Sequence, residues 1–294
     1  MHSLQQLFIQ VVEAGSFKKA AEQMHIEPSS LSRKIAALEK RLNVKLLHRS
    51  TRRTSPTELG QRYYEGLRGL LDDEIALEEE ITSGVETLRG TLRVSAPVDF
   101  GAEFVVPVIH EMLKTAPELS VELLLSSRFV NLVEQNIDVA VRIGEASKSN
   151  LNAKKIGEVP RVLVASRNYL RQYGTPNTSD ELMNHNFILY SPIQARSDIE
   201  FANGHSFPHS KVRSNITVNS VSAIRRLVKD GLGIHLGPAW VFKESLEKGE
   251  VCQLLSEYTL KSFPVRAVYV ARAYLPRKTE EFIQQLSKHL EYSL

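Results

Sequence analysis

The sequence predicts an α/β protein in three parts: a small helical head closed by a wing, one long helix, and a larger two-lobed body. Three observations carry this. Apolar residues recur at helical spacing in three runs between Leu4 and Leu42, and a short basic stretch follows them. From Thr57 to about Gly84 a heavily charged segment keeps one apolar stripe in alternating four- and three-residue steps. Beyond Gly90, short strand-like runs alternate with helical ones.

In the head, Leu4, Leu7, Phe8, Val11 and Val12 make an amphipathic first helix that Gly15 can end. Ser16 is placed to N-cap a second helix with Phe17, Ala20, Ala21 and Met24 on its apolar side. Pro28 suits the first turn of a third helix, whose buried side carries Leu31, Ile35, Leu38 and Leu42. Ser29, Ser32, Arg33 and Ala36 then fall on its opposite face, with Lys34 beside them. Val44, Leu46 and Leu47 open an extended segment, followed by Arg49, Arg52 and Arg53 among hydroxyl residues. This is a helix-turn-helix pattern with a basic wing. Small hydroxyls and a guanidinium at a helix start suit the major groove, where Arg can clasp a guanine edge. Wing arginines would contact phosphates, which position without specifying.

A solvated helix face is the plain alternative for those cations. Their distribution argues against it. Residues 1–60 hold 10 Lys and Arg against 5 Asp and Glu, whereas the remaining 234 hold 27 against 29. The excess positive charge therefore lies wholly in the head, the footprint of phosphate binding. The single cysteine, Cys252, precludes an intrachain disulfide and fits a reducing compartment. Gln5, Gln6 and Gln10 interrupt the N-terminal apolar run, no signal-peptide pattern is seen, and no run is long enough to span a bilayer, so a cytoplasmic location with no membrane partner is expected.

In the long helix, Tyr63, Leu67, Leu70, Leu77 and Ile81 form the stripe, with Glu74 interrupting it. Arg62 and Arg68 come early and Asp72, Asp73, Glu74, Glu78, Glu79 and Glu80 late. A parallel in-register pair would set acid on acid, whereas an antiparallel pair sets early arginines against late acids. Antiparallel dimerisation is the expectation, with a plain core face as the alternative.

In the body, Thr91–Ser95 reads as a strand, Pro97–Gly101 as a tight turn, and Phe104–Lys114 as a helix. Val121–Leu125 and Ile137–Ile143 are further strands, implying a mainly parallel sheet. Val162–Ala165 leaves this unit and Pro264–Ala271 returns to it. Between them, Ile188–Tyr190, a hairpin-like Phe201–Val212, Ile216–Val218, helix Val221–Lys229 and strand Gly233–Leu236 form a second lobe, and Arg277–Leu290 is the last helix. Ligands favour the cleft between such lobes.

Leu4-x-x-Leu7-Phe8, Gly15-Ser16-Phe17-x-x-Ala20-Ala21, Leu31-Ser32-Arg33-Lys34-Ile35-x-x-Leu38-Glu39, Leu46-Leu47-x-Arg49 and Thr57-Glu58-x-Gly60 resemble the N-terminal domain of LysR-type transcriptional regulators. The body is similar to that family's effector domain through Gly90-x-Leu92-Arg93-Val94, Phe100-Gly101, Asp138 to Gly144, Ala165-Ser166-x-x-Tyr169-Leu170 and Gly231-Leu-Gly-Ile234. The resemblance implies a winged helix-turn-helix domain (1–59), a linker and dimerisation helix (60–89) and a periplasmic-binding-protein-like domain (90–294). Its lobes would be 90–161 with 267–294, and 162–266. It also implies promoter binding as a homo-oligomer, a dimer of dimers, with RNA polymerase a further partner. Pro28 and Asp99 depart from the pattern, where a polar residue and Ser are usual. Asn136, where Gly is usual, is a mild change because Asn tolerates left-handed angles.

The DNA-contact candidates are Ser29, Ser32 and Arg33 for bases and Lys34, Arg49, Arg52 and Arg53 for backbone. The small-molecule effector candidates are Val98, Asp99, Phe100, Ser126, Ser127, Arg142, Ser220 and His235, the last reading equally well as a satisfied core histidine. A carboxylate at Asp99 would disfavour an anionic effector unless Arg142 or another cation offsets it. No catalytic residue, cofactor or metal is expected. Gly231-x-Gly233 to Gly237 has its last glycine misplaced for a dinucleotide fingerprint and reads as a helix-to-strand turn. Ser16 and Lys19 match an acylase pattern by letter alone, and His205 and His209 flank Pro208, which argues against a helical metal site. The other classes open are a metabolite-binding protein or enzyme with an accessory head, and an architectural DNA binder.

Overall fold

A computed structural model describes residues 3–49, 54–81, 88–127, 131–132, 135–144, 151–190, 198–201, 206–208, 211–271 and 275–294. The chain divides into two compact units, Met1–Glu86 with Arg272–Arg277, and Thr87–Ala271 with Lys278–Leu294.

The first unit contains helices α1 (Leu4–Ala14), α2 (Phe17–Gln23) and α3 (Pro28–Leu42), strands β1 (Leu47–Arg49) and β2 (Thr54–Pro56), and the long helix α4 (Glu58–Ile81). Ser3 opens α1 with a capping box: its hydroxyl accepts from the Gln6 N–H at 3.1 Å and the Gln6 side chain accepts from the Ser3 N–H at 3.0 Å. Gly15 closes α1 at φ +62°, where a side chain would be strained. Ser16 starts α2 through its carbonyl, which accepts from the Ala20 N–H, but its hydroxyl makes no cap bond. The expected side-chain cap is therefore absent. Leu7, Phe8, Val11, Ala20, Ala21, Leu31, Ile35 and Leu38 form the core. β1 and β2 pair antiparallel, Leu47 opposite Pro56, as a wing.

Two contacts weld α4 to this head. The Thr57 hydroxyl donates to the Lys45 carbonyl at 2.8 Å and accepts from the Gly60 N–H at 2.9 Å. Gly60 lies so close to the wing that a Cβ would sit 1.9 Å from the Leu46 carbonyl oxygen. Farther along, Tyr64 is 2 % exposed and donates to Glu13 of α1 at 2.9 Å, with Arg68 completing the group. Burial first, and then the Glu13 charge, push the Tyr64 hydroxyl up to about 12. Tyr63 and Leu67 also pack against the head core, whereas Leu70 is 67 % exposed. The start of the predicted pairing stripe thus serves the head. The side chains of Leu77, Ile81 and the late acids other than Glu74 lie outside the described residues.

The second unit has a five-stranded sheet in the order β4 (Leu119–Leu125), β3 (Gly90–Ala96), β5 (Val139–Ile143), β14 (Phe263–Val270), β6 (Leu151–Val159). β3 runs parallel to β4 and β5, but β14 is antiparallel to β5 and β6, so the sheet is mixed rather than mainly parallel. β6 escapes periodicity because it is an exposed edge with few inward apolar residues. The helix after β3 begins at Val98, not near Phe104: α5 (Val98–Phe100) runs through a π-helical stretch, Gly101–Val105, into α6 (Val106–Thr115). Gly101 is helical, and its missing side chain makes room for Leu125, whose Cδ2 would lie 2.3 Å from a Cβ there. Asn136 takes φ +53°.

The chain crosses to the second lobe at Pro160 and continues as β7 (Arg161–Ser166). β7 is buried throughout and lies between β12 (His235–Pro238) and β13 (Val251–Gln253). Val162 and Val164 face one core cluster and Leu163 and Ala165 another, the alternation of a strand buried on both faces. Alongside run α7 (Arg167–Tyr173), parallel strands β8 (Asn186–Tyr190) and β11 (Arg213–Val218), a short pair β9 (Ile199–Glu200) and β10 (Ser206–Phe207), α8 (Val221–Lys229) and α9 (Ala239–Glu247). The chain returns before Phe263, which pairs with Val159, so the 266/267 boundary drawn from the sequence falls inside β14. Arg161 ties both crossings: its guanidinium donates to the Lys261 and Glu200 carbonyls and lies 4.3 Å over the Phe263 ring. Helix α10 (Arg277–Ser293) follows β14 in the chain and packs on the first lobe, Leu290 against Gly157.

Replacing Gly60 with Ala is expected to destabilise the chain by about 1–3 kcal/mol, because the backbone must retreat from Leu46 to admit a methyl group. Chemical denaturation of the full chain beside the wild type measures it.

Candidate nucleic-acid interface and effector cleft

Helix α3 presents Ser29 and Arg33 to solvent, with Ser32 and Lys34 half-buried, while Leu31, Ile35 and Leu38 are fully buried on the other side. Ser29, Ser32, Arg33 and Ala36 fall within roughly 100° of arc, a single ridge one groove wide. Pro28 occupies the first turn, as its chemistry predicts, and Asn43 ends the helix at φ +55°. Arg49 lies on β1, its side chain outside the described residues. Arg52 and Arg53 fall outside the described residues altogether.

What holds wing to helix was missed in the sequence. Glu39 is 3 % exposed, and one carboxylate oxygen accepts from the backbone N–H groups of Leu46 at 2.9 Å and Leu47 at 3.2 Å. The other accepts from Lys45 at 3.3 Å. Burial, the largest single influence, pushes this carboxyl up, but the two backbone bonds and Lys45 together outweigh it and hold it below the usual range. The signal was present: Glu39 follows Ile35 by four residues, placing a charge beside an otherwise apolar stripe.

The effector candidates separate in space. Asp99 on α5 accepts from the Val221 N–H of α8 at 3.0 Å, and Ser127 after β4 accepts from Asn219 at 3.0 Å. Ser220 caps α8, accepting from the Ala223 N–H at 3.3 Å. Asp99, Ser127 and Ser220 therefore meet where the lobes face each other. Val98 is exposed and Ser126 half-buried beside them. Arg142 lies in register with Arg266 on the neighbouring strand, its pKa lowered by burial. Phe100 is buried, 4.7 Å from the Phe104 ring and 6.5 Å from that of Trp240, and Phe104 meets Trp240 edge-on at 5.2 Å. It packs across the lobes as part of their contact. His235 is 1 % exposed, donates from Nδ1 to the Ile188 carbonyl at 2.7 Å and lies beside Phe242. The structure puts it in the core of the second lobe.

Of the rejected motifs, Gly231 makes the turn after α8 at φ +83°, and His205 and His209 lie outside the described residues. Among the described residues no group of His, Cys, Asp and Glu could hold a metal ion, and no helix is long and apolar enough to cross a membrane.

Comparison with known proteins settles the family. Residues 3–61 match the bacterial regulatory helix-turn-helix protein, lysR family, and residues 86–291 match the LysR substrate binding domain. The chain belongs to the LysR-type transcriptional regulators. It is 34 % identical to an uncharacterized HTH-type transcriptional regulator of Haemophilus influenzae over 92 % of this chain and 94 % of that protein. It is 32 % identical to the transcriptional activator AaeR of Escherichia coli, over 96 % of this chain and 92 % of the relative. The full-length Vibrio cholerae virulence activator AphB superposes with a TM-score of 0.60 at 30 % identity, covering 99 % of both chains. CrgA from Neisseria meningitidis gives 0.57 at 29 %, again covering 99 % of both. The LysR-type protein is a DNA-binding regulator with an effector domain, not an enzyme.

Because Glu39 is held below its unfolded pKa, its contribution is fully present above the unfolded carboxyl value of about 4.3 and is lost as pH falls through the lower folded value. Glu39→Gln is expected to cost about 1–3 kcal/mol near neutrality. The gap from wild type should close on acidification, as denaturation midpoints across the acid range will register.

Proposed function

We propose that α3 enters the major groove of promoter DNA with Ser29, Ser32 and Arg33 at base edges, and that Lys34, Arg49, Arg52 and Arg53 contact the backbone. The observation that carries this reading is the outward ridge of α3, polar and cationic, fixed to a wing by Glu39. A long flexible cation on a rigid helix can make bidentate bonds to a guanine, whereas wing arginines follow the phosphates.

The protein acts as a homo-oligomer, a dimer of dimers, through α4. The exposure of Leu70 beyond the part of α4 that serves the head supports this, since a large apolar side chain that the head leaves uncovered favours a partner. An effector in the interlobe cleft shifts the assembly only by as much as it prefers one lobe arrangement over another. The cytoplasm is its location, and RNA polymerase is the further partner through which a bound regulator changes transcription.

Arg33→Ala is expected to weaken binding by about 1–3 kcal/mol at one base pair, and Arg52→Ala to weaken all sequences alike and flatten the salt dependence. Titration of specific and random duplexes at several salt concentrations separates the two. Equal loss on both duplexes for Arg33→Ala overturns its base-reading role.

A further inference from the structure

Two helix N-termini meet at one side chain. Asp99 stands in the first turn of the helical run that starts at Val98, and its carboxylate reaches across to the first turn of Val221–Lys229. The N–H groups of a helix's first turn have no partner within the helix, and its N-terminus carries partial positive charge. In Val221–Lys229 the Ser220 hydroxyl satisfies Ala223 from within, and Asp99 satisfies Val221 from the opposite lobe. The ring of Tyr190, at the end of its strand, adjoins the same place, and burial together with the Asp99 charge keeps its hydroxyl protonated more firmly than usual.

We propose that Asp99 is a specificity-determining latch: its carboxylate fills the anion position at the start of helix Val221–Lys229, ties the lobes together, and makes the cleft take a neutral or cationic effector in preference to a carboxylate. This rests on the interlobe cleft being the effector site. A ligand entering there must replace the Asp99 oxygen at Val221 and leave Asp99 with a donor or a cation. A neutral hydroxyl or amide can do both, since it accepts and donates. A carboxylate can only accept, and it would set like charge against the half-buried Asp99 carboxylate at close range. The Ser127–Asn219 bond closes the lobes a second time but carries no net charge, so it adds hold without adding selectivity.

Amide hydrogen exchange at single-residue resolution on the full chain, with no effector added, tests the latch independently of DNA binding. Asp99→Ser should speed exchange at Val221 by about tenfold or more, because bonds to ionised acceptors are among the stronger ones. Ala223, held in the same turn by Ser220, is the internal reference and keeps its wild-type rate. Should Ala223 change too, Asp99→Asn, isosteric and uncharged, repeats the comparison. Acetate at constant ionic strength is the probe for the anion position. It should slow Val221 again in the variant and leave the wild type unaffected. Exchange at Val221 indifferent to both substitutions overturns the latch. Acetate acting alike on both proteins, on neither or on each, overturns the selectivity. Either failure leaves the DNA-binding reading standing, because titration with duplex DNA tests that separately.

Discussion

A buried carboxylate, Glu39, fixes the wing of this protein against helix α3. Removing Glu39 from water carries a penalty of several kcal/mol that only well-directed partners can offset. The partners are the Leu46 and Leu47 amides and the Lys45 ammonium, all at the entrance to the wing. Because the donors are mostly backbone, the bond fixes the path of the chain and not merely a rotamer. Thr57 and Gly60 then bind the same segment to α4. One ion therefore sets α3, the wing and the start of the long helix in register. A DNA reader needs this, since a ridge of base contacts works only if the phosphate contacts beside it are held at a fixed spacing.

Much of this head was legible because its residues obey one rule each. Leu31, Ile35 and Leu38 repeat at the helical period, Pro28 starts a helix, and Gly15 ends one. Asn43 and Asn136 take left-handed angles, one at a helix end and one before a strand. Readings failed where tertiary contacts overrode a local signal. Ser16 sits at a cap position but its hydroxyl bonds nothing in the helix. Gly101 reads as a turn, yet its role is to let a helix approach Leu125. β6 has no apolar alternation to find because it is the exposed edge beyond β14.

The candidate sites divide along the same line. The face of α3 follows from periodicity alone, so Ser29 and Arg33 emerge on the surface together. The cleft depends on distant segments meeting, and no period encodes that. Sequence placed Asp99, Ser127 and Ser220 in one group by resemblance, and they do converge. It placed Phe100 there as well, and left His235 between the cleft and the core. One packs between the lobes against Trp240, and the other spends its Nδ1 proton on a strand carbonyl inside the second lobe.

The body has two kinds of joint, and their difference bears on how a signal could pass. At the hinge, Arg161 binds carbonyls on both crossing segments and stacks on Phe263, and Phe104 packs against Trp240. Arg161 and Phe104 are buried in these contacts. At the mouth, the joint is a pair of hydrogen bonds that Asp99 and Ser127 accept, the first half-buried and the second exposed. Water can compete for the second kind and scarcely for the first. A joint that is firm at its pivot and exchangeable at its rim suits a sensor, because an effector can shift a body only by its differential affinity for two arrangements. A body sealed at the mouth by apolar packing would need far more differential binding energy to open, and would be a structural domain rather than a sensor.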